Sequence, residues 1–204
     1  MRAVLAAALP VLPHASWATD YDHILVNDPS GSSEIFLRPG DTVTNADQLT
    51  GLGAAVDVSV AGNSVHAEGV TISTSRPNDG NLLANPVGVR ATGGGTVTLL
   101  DSTVTTEGDR SRGGHALHAE DAGSAITATD SRLVTHGINA DGVQVERGAL
   151  VTLKNVEVTT HGDFANGIRV NGVGSTLKAD GVTITNASEQ GRTGVVGSQG
   201  RRST

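Results

Sequence analysis

One stretch, GVQVERGALVTLKNVEVTTHG at residues 142–162, constrains the fold more than any other, because it recurs along the chain. It contains three short runs that alternate apolar and polar residues: Val143 and Val145 around Gln144, Val151 and Leu153 around Thr152, Val156 and Val158 around Glu157. A side-chain period of two belongs to strands with one buried face. Turn-formers separate the runs, Arg147-Gly148 after the first and Lys154-Asn155 after the second. The unit is therefore predicted to be strand, turn, strand, turn, strand. It is too small to bury its apolar face alone and requires neighbours of its own kind.

Those neighbours are present. Gly88-Val89-Arg90-Ala91 leads to Val97-Thr98-Leu99 and then to Thr103-Val104-Thr105-Thr106. Ala116-Leu117-His118-Ala119 leads to Ile126-Thr127-Ala128 and Arg132-Leu133, and Gly167-Ile168-Arg169-Val170 leads to Leu177 and Val182-Thr183-Ile184. A partial earlier copy at residues 62–72 matches residues 174–184. Units start at residues 88, 116, 142 and 167, giving steps of 28, 26 and 25. A period in this range points to a solenoid or an array. The predicted fold is all-β, with about 25–28 residues and three strands per coil. Val143, Val145, Val151, Leu153, Val156 and Val158 are expected to point inward, stacked on Ile168, Val170, Leu177, Val182 and Ile184.

Composition agrees with a thin core. Aromatic residues make up 2% of the 204 residues, so burial must come from many small β-branched side chains. A solenoid core one residue deep per coil needs no more than that. The formal net charge of −7 argues against nucleic acid as a partner. With zero cysteines, disulfide staples and thiolate metal sites are excluded. No cofactor motif is present: Gly93-Gly94-Gly95 is not followed by the Lys-Ser/Thr of a phosphate loop.

Four segments are expected. Residues 1–18 carry an early Arg2, an apolar run and small residues at Ser16 and Ala18, the pattern of an export signal. Residues 19–52 do not match the repeat and are expected to cap the solenoid, with one short strand near residues 34–37. Coils occupy residues 53–190, and residues 191–204 begin a further copy at Gly194-Val195-Val196 that breaks off. An uncapped last coil would allow edge-to-edge self-association.

Candidate sites fall into four groups. Length insertions cluster between the third strand of one coil and the first of the next, at residues 73–87, 109–115 and 162–166. Loops gathered on one edge of a solenoid often carry binding residues. The candidate binding loops supply Arg76, Asn78, Asp79, Asp109, Arg110, Arg112, Asp163 and Phe164. Arg90, His118, Gln144 and Arg169 align as an outward polar strip along the first strands. Glu107, His136 and His161 also align, each before a glycine; exposed turn polarity accounts for them, and they are expected to be metal-free. Gly69, Asp101, Asp130, Asn155 and Gly181 share a fourth column. Two of these are carboxylates, the raw material of acid–base catalysis. All five are residue types that tolerate a left-handed backbone, however, and the column is expected to be a turn.

The repeated G-V-x-V, V-T-L, V-x-V-T-T-x-G rhythm and the signal-like start resemble the pertactin-like passenger domains of Gram-negative autotransporters. The resemblance covers roughly residues 1–186. It implies a right-handed, single-stranded parallel β-helix, and an exported, non-enzymatic, surface-displayed protein used in adhesion or virulence, with a host-cell surface protein or glycan as partner. The chain departs from that family in lacking a C-terminal membrane barrel, through which alone it would contact a membrane, so it is expected to be the leading fragment of a longer passenger. An Arg-Gly-Asp tripeptide is absent too. Polysaccharide-active, pectin-lyase-like enzymes and phage tailspikes share such repeats and form the alternative. The clustered Asp motifs of polygalacturonases and the calcium-binding carboxylates of pectate lyases are missing, so no catalytic residue is assigned.

Overall fold

The computed structural model describes residues 18–45, 54–74, 86–107, 114–188 and 192–198. All regular structure in them is strand, and the strands form three parallel sheets. The first strands of the coils build sheet 1: Ile24–Val26, Ala54–Ser59, Val87–Thr92, Leu117–Glu120, Val143–Glu146, Asn166–Asn171 and Arg192–Ser198. Sheet 2 holds the second strands, Glu34–Leu37, Ser64–Glu68, Thr96–Leu100, Ala125–Thr129, Leu150–Lys154 and Thr176–Asp180. Sheet 3 holds the third, Thr42–Asn45, Thr71–Thr74, Thr103–Glu107, Arg132–His136, Glu157–Thr160 and Thr183–Asn186, with Asp20–Tyr21 at its edge. This is a parallel β-helix with three strands per coil.

The register turns each inward position into a column. Sheet 1 stacks Ile24, Val56, Val89, Leu117, Val143 and Ile168; sheet 2 stacks Ile35, Val65, Val97, Ile126, Val151 and Leu177. Sheet 3 stacks Val43, Ile72, Val104, Leu133, Val158 and Ile184. All six apolar residues of the defining unit are at most 1% exposed. Each such burial contributes about 1.5–3 kcal/mol. Val170, Leu177, Val182 and Ile184 are only partly buried: in sheets 2 and 3 no further described strand covers Leu177 and Ile184, and in sheet 1 the neighbour of Val170 is Gly197, which has no side chain to pack on it.

Within the stretch expected to cap the solenoid, residues 19–45 add more than the one strand expected. The short strand falls at Glu34–Leu37 as expected, but the stretch also supplies Ile24–Val26 to sheet 1 and Thr42–Asn45 to sheet 3. It winds into a coil in line with the rest. Its apolar alternation has the period of a strand but lacks the glycine-headed first strand that makes the other copies recognisable. The further copy at Gly194 pairs as aligned, with Val195 beside Ile168 and Val196 beside Arg169.

Two columns shape the turns. Asn45, Thr106, Thr135 and Asn186 point inward at the end of sheet 3 and donate to carbonyls of the turns leading to sheet 1: Ala54, Gly114, Ala140 and Ala165. Polar groups thus match these four corner carbonyls, whereas the buried hydroxyls of Thr74 and Thr160 in the same column have no hydrogen-bond partner among the described residues. At the start of the first strands, Gly88, Gly142 and Gly167 lie against sheet 3. A Cβ on them would stand 2.2–2.3 Å from a side-chain carbon of Val104, Val158 or Ile184.

Candidate functional site

The polar strip of sheet 1 forms a continuous row. Strand pairing places Asp57 beside Arg90, Arg90 beside His118, His118 beside Gln144 and Gln144 beside Arg169. All point away from the core, since their neighbours along each strand are the core columns. They are nevertheless not an open, solvated strip. Gln144 is 8% exposed, and the side chains of His118, Arg90 and Arg169 are 16%, 31% and 33% exposed. Long side chains packed on one another and on flanking carboxylates keep water out.

Those carboxylates were not singled out from sequence. The Asp57 carboxylate, 5% exposed, accepts from Arg90 Nε at 3.1 Å and also from Arg90 Nη2. That bidentate hydrogen bonding, more than anything else, raises the Arg90 pKa. Asp141, 1% exposed, sits 2.6 Å from Arg169 Nη2 and accepts from Asn166 N and Nδ2, both at 2.8 Å. Burial raises its pKa despite these partners. His115 accepts a hydrogen bond from Asp141 N on Nδ1 at 3.2 Å, and burial pushes its pKa down to about 3. Its imidazole is therefore neutral, and the 3.7 Å separation from Asp141 Oδ2 is no ion pair.

Two residues beyond the strip, on the same outer face, Glu120 and Glu146 lie directly opposite each other. Glu146 Oε1 accepts from Gln144 Nε2 and from Asn171 Nδ2, leaving Oε2 turned to His118 Nε2 at 3.7 Å. Burial alone would raise the Glu146 pKa; these hydrogen bonds, with the charges of His118 and Arg169, bring it below the usual value. Glu120 Oε1 meets Arg147 Nη2. Burial lowers the His118 pKa although both glutamates oppose that, and its Nε2 is buried without a hydrogen-bond partner. One atom each from His118, Glu120 and Glu146 falls within 4.8 Å of the others. The signal in the sequence was the period of two: positions 120 and 146 share the face of 118 and 144.

The other candidates divide. Arg76, Asn78, Asp79, Asp109, Arg110 and Arg112 lie outside the described residues, as do residues 1–17. Phe164 is 56% exposed in a left-handed turn, and the Asp163 carboxylate accepts from the Ser188 hydroxyl. Glu107, His136 and His161 do stack: the two rings are parallel with centroids 4.4 Å apart, and His136 Nε2 lies 3.7 Å from Glu107 Oε1. Burial and the neighbouring His136 lower the His161 pKa. The turn column adopts the expected conformation, with φ between 48° and 65° at Gly69, Asp101, Asp130, Asn155 and Gly181. Asn155 Nδ2 donates to Asp130 Oδ1 at 3.0 Å along the same column.

Comparison of the chain with family models, with curated proteins and with solved structures finds no match in any of the three.

Proposed function

We propose that this chain is a non-enzymatic binding scaffold, a segment of a surface-displayed autotransporter-like passenger that recognises a host-cell surface protein or glycan. One observation carries the reading. Asp57, Arg90, His118, Gln144 and Arg169 occupy one register on the outer face of sheet 1, a partly buried polar row along the solenoid axis whose two arginines are held in place by Asp57 and Asp141. Its repeat of one coil per step, about 4.8 Å, suits an extended polymer or strand better than a compact small molecule. The signal-like residues 1–18 and the absence of cysteine favour export of an unfolded chain. Among the described residues the carboxyl group with a raised pKa, Asp141, is 1% exposed and engaged by Arg169 and Asn166, so it is poorly placed to donate a proton to a substrate. That favours binding over polysaccharide cleavage.

The test applies the purified chain to cultured-cell surfaces and to a panel of neutral and acidic glycans, with Gln144→Ala and His118→Ala as strip variants. Saturable binding that weakens at least tenfold in both variants is expected. Cleavage of any glycan in the panel, or binding indifferent to both substitutions, would overturn the reading.

A further inference from the structure

We infer that His118, Glu120 and Glu146 form a binding site for a divalent transition-metal ion of the zinc type on the outer face of sheet 1. The donor set comes first. Imidazole nitrogen with carboxylate oxygen is a zinc-compatible set, and bonds of about 2.0–2.2 Å set tetrahedral donors roughly 3.4 Å apart. His118 Nε2 and Glu146 Oε2 stand 3.7 Å apart, and all three donors lie within 4.8 Å, so small side-chain rotations complete the geometry.

Three further observations point the same way. His118 Nε2 is buried with no hydrogen-bond partner, and 3.7 Å is too long for a bond to Glu146. A buried nitrogen left without a partner is costly unless something occupies the space before it. Each carboxylate, next, is held by one oxygen. Gln144 and Asn171 donate to Glu146 Oε1, and Arg147 engages Glu120 Oε1, as outer partners that orient metal ligands do. Gln144 is itself 8% exposed, with its Oε1 buried and unpartnered.

Charge decides the sign of the ligand. Five carboxylates crowd this face (Asp57, Glu120, Asp121, Asp141, Glu146) against three arginines. Arg90 is taken by Asp57 and Arg169 by Asp141, while Arg147 divides between Asp121 and Glu120. With neutral imidazoles the balance is three positive against five negative, or −2, which one divalent cation cancels. Directly opposed glutamates on neighbouring strands repel without such a counter-charge. The inference does not depend on the adhesive role proposed above, because it is read by metal alone.

Zinc chloride titrated calorimetrically into the purified full chain tests it, with Co²⁺ absorption as a second readout. The wild type should bind with a metal-dependent rise in Tm. His118→Ala and Glu120→Gln should each weaken that binding at least tenfold, whereas His136→Ala should leave it intact. Glu120→Gln removes the charge without changing size, so it guards against a folding defect in His118→Ala. No zinc binding, or binding lost in His136→Ala and kept in Glu120→Gln, would overturn the site.

Discussion

Gly142→Ala is the smallest change that should damage the coil. The added methyl would sit 2.2 Å from Val158 Cγ1 and 2.6 Å from the carbonyl oxygen of Gly167. Carbon atoms pack at about 3.5–4.0 Å, so the overlap with Val158 is at least ~1.3 Å. Val158 is β-branched and stiff at χ1, and it is fully buried against its column. Gly167 cannot withdraw either, since Gly142 N donates to the carbonyl of neighbouring Asn166 at 3.0 Å. Overpacking costs about 1–3 kcal/mol, and a double clash falls in the upper half of that range. Replacing glycine also stiffens the unfolded chain, a stabilisation of about 0.4–1 kcal/mol. The net loss should be about 2 kcal/mol, a Tm fall of about 4–8 °C. Chemical denaturation followed by circular dichroism measures it. Adding Val158→Ala to Gly142→Ala should show a favourable coupling of about 1 kcal/mol, because the worse contact disappears. Gly197→Ala, whose methyl would meet only Val170 O at 3.8 Å, is the control and should be neutral. Wild-type stability in Gly142→Ala, or strictly additive effects in the double variant, would refute the packing of sheet 1 on sheet 3.

Arg90→Ala should destabilise by about 3 kcal/mol, since it strands the buried Asp57 carboxylate, and Asp57→Asn in the same background should restore most of the loss in denaturant titrations. His115 has a folded pKa of about 3 against 6.5 unfolded, so below pH 6.5 the unfolded chain takes up a proton that the folded chain refuses. Stability should then fall by about 2 kcal/mol between pH 6.5 and pH 5 from this residue, a slope that His115→Asn removes. Asp28, whose carboxylate accepts from Ser30 N and from the hydroxyls of Ser30, Ser32 and Ser33, should titrate near 2 by NMR rather than at 3.8. Its stabilising effect is present above pH 3.8 and is lost as pH falls toward 2, and Ser30→Ala should move the midpoint upward.

Much of this architecture was legible from residues 142–162 because a buried strand face and a tight turn each leave a local mark. Alternation gave the facing of Val143 through Val158, and mixed Asp, Asn and Gly at one position marked the left-handed turn at residues 101, 130 and 155. Alignment of Arg90, His118, Gln144 and Arg169 placed the strip in its true register. What stayed hidden is lateral. Whether Gln144 is wet depends on residues two positions away on one's own strand and one coil away in sequence, such as Glu146, Asn171 and Arg169. The coil at residues 20–45 was obscured because its strands lack the repeat's glycine, although their apolar period is the same.

Everything proposed for the outer face of sheet 1 rests on coils stacking at the register described, and the absence of native cysteine makes that register directly measurable. Thr127 and Thr152 are directly opposed on neighbouring coils, half-exposed and away from the strip. Neighbouring parallel strands bring such a pair to about 4.8 Å, inside the Cα range of a disulfide, whereas a shift of two residues exceeds about 7 Å. Thr127→Cys/Thr152→Cys should therefore form an intramolecular disulfide under mild oxidation, and Thr127→Cys/Lys154→Cys should not. Cross-linking of the offset pair in preference to the opposed one would contradict the stacking, and with it the strip and the metal site.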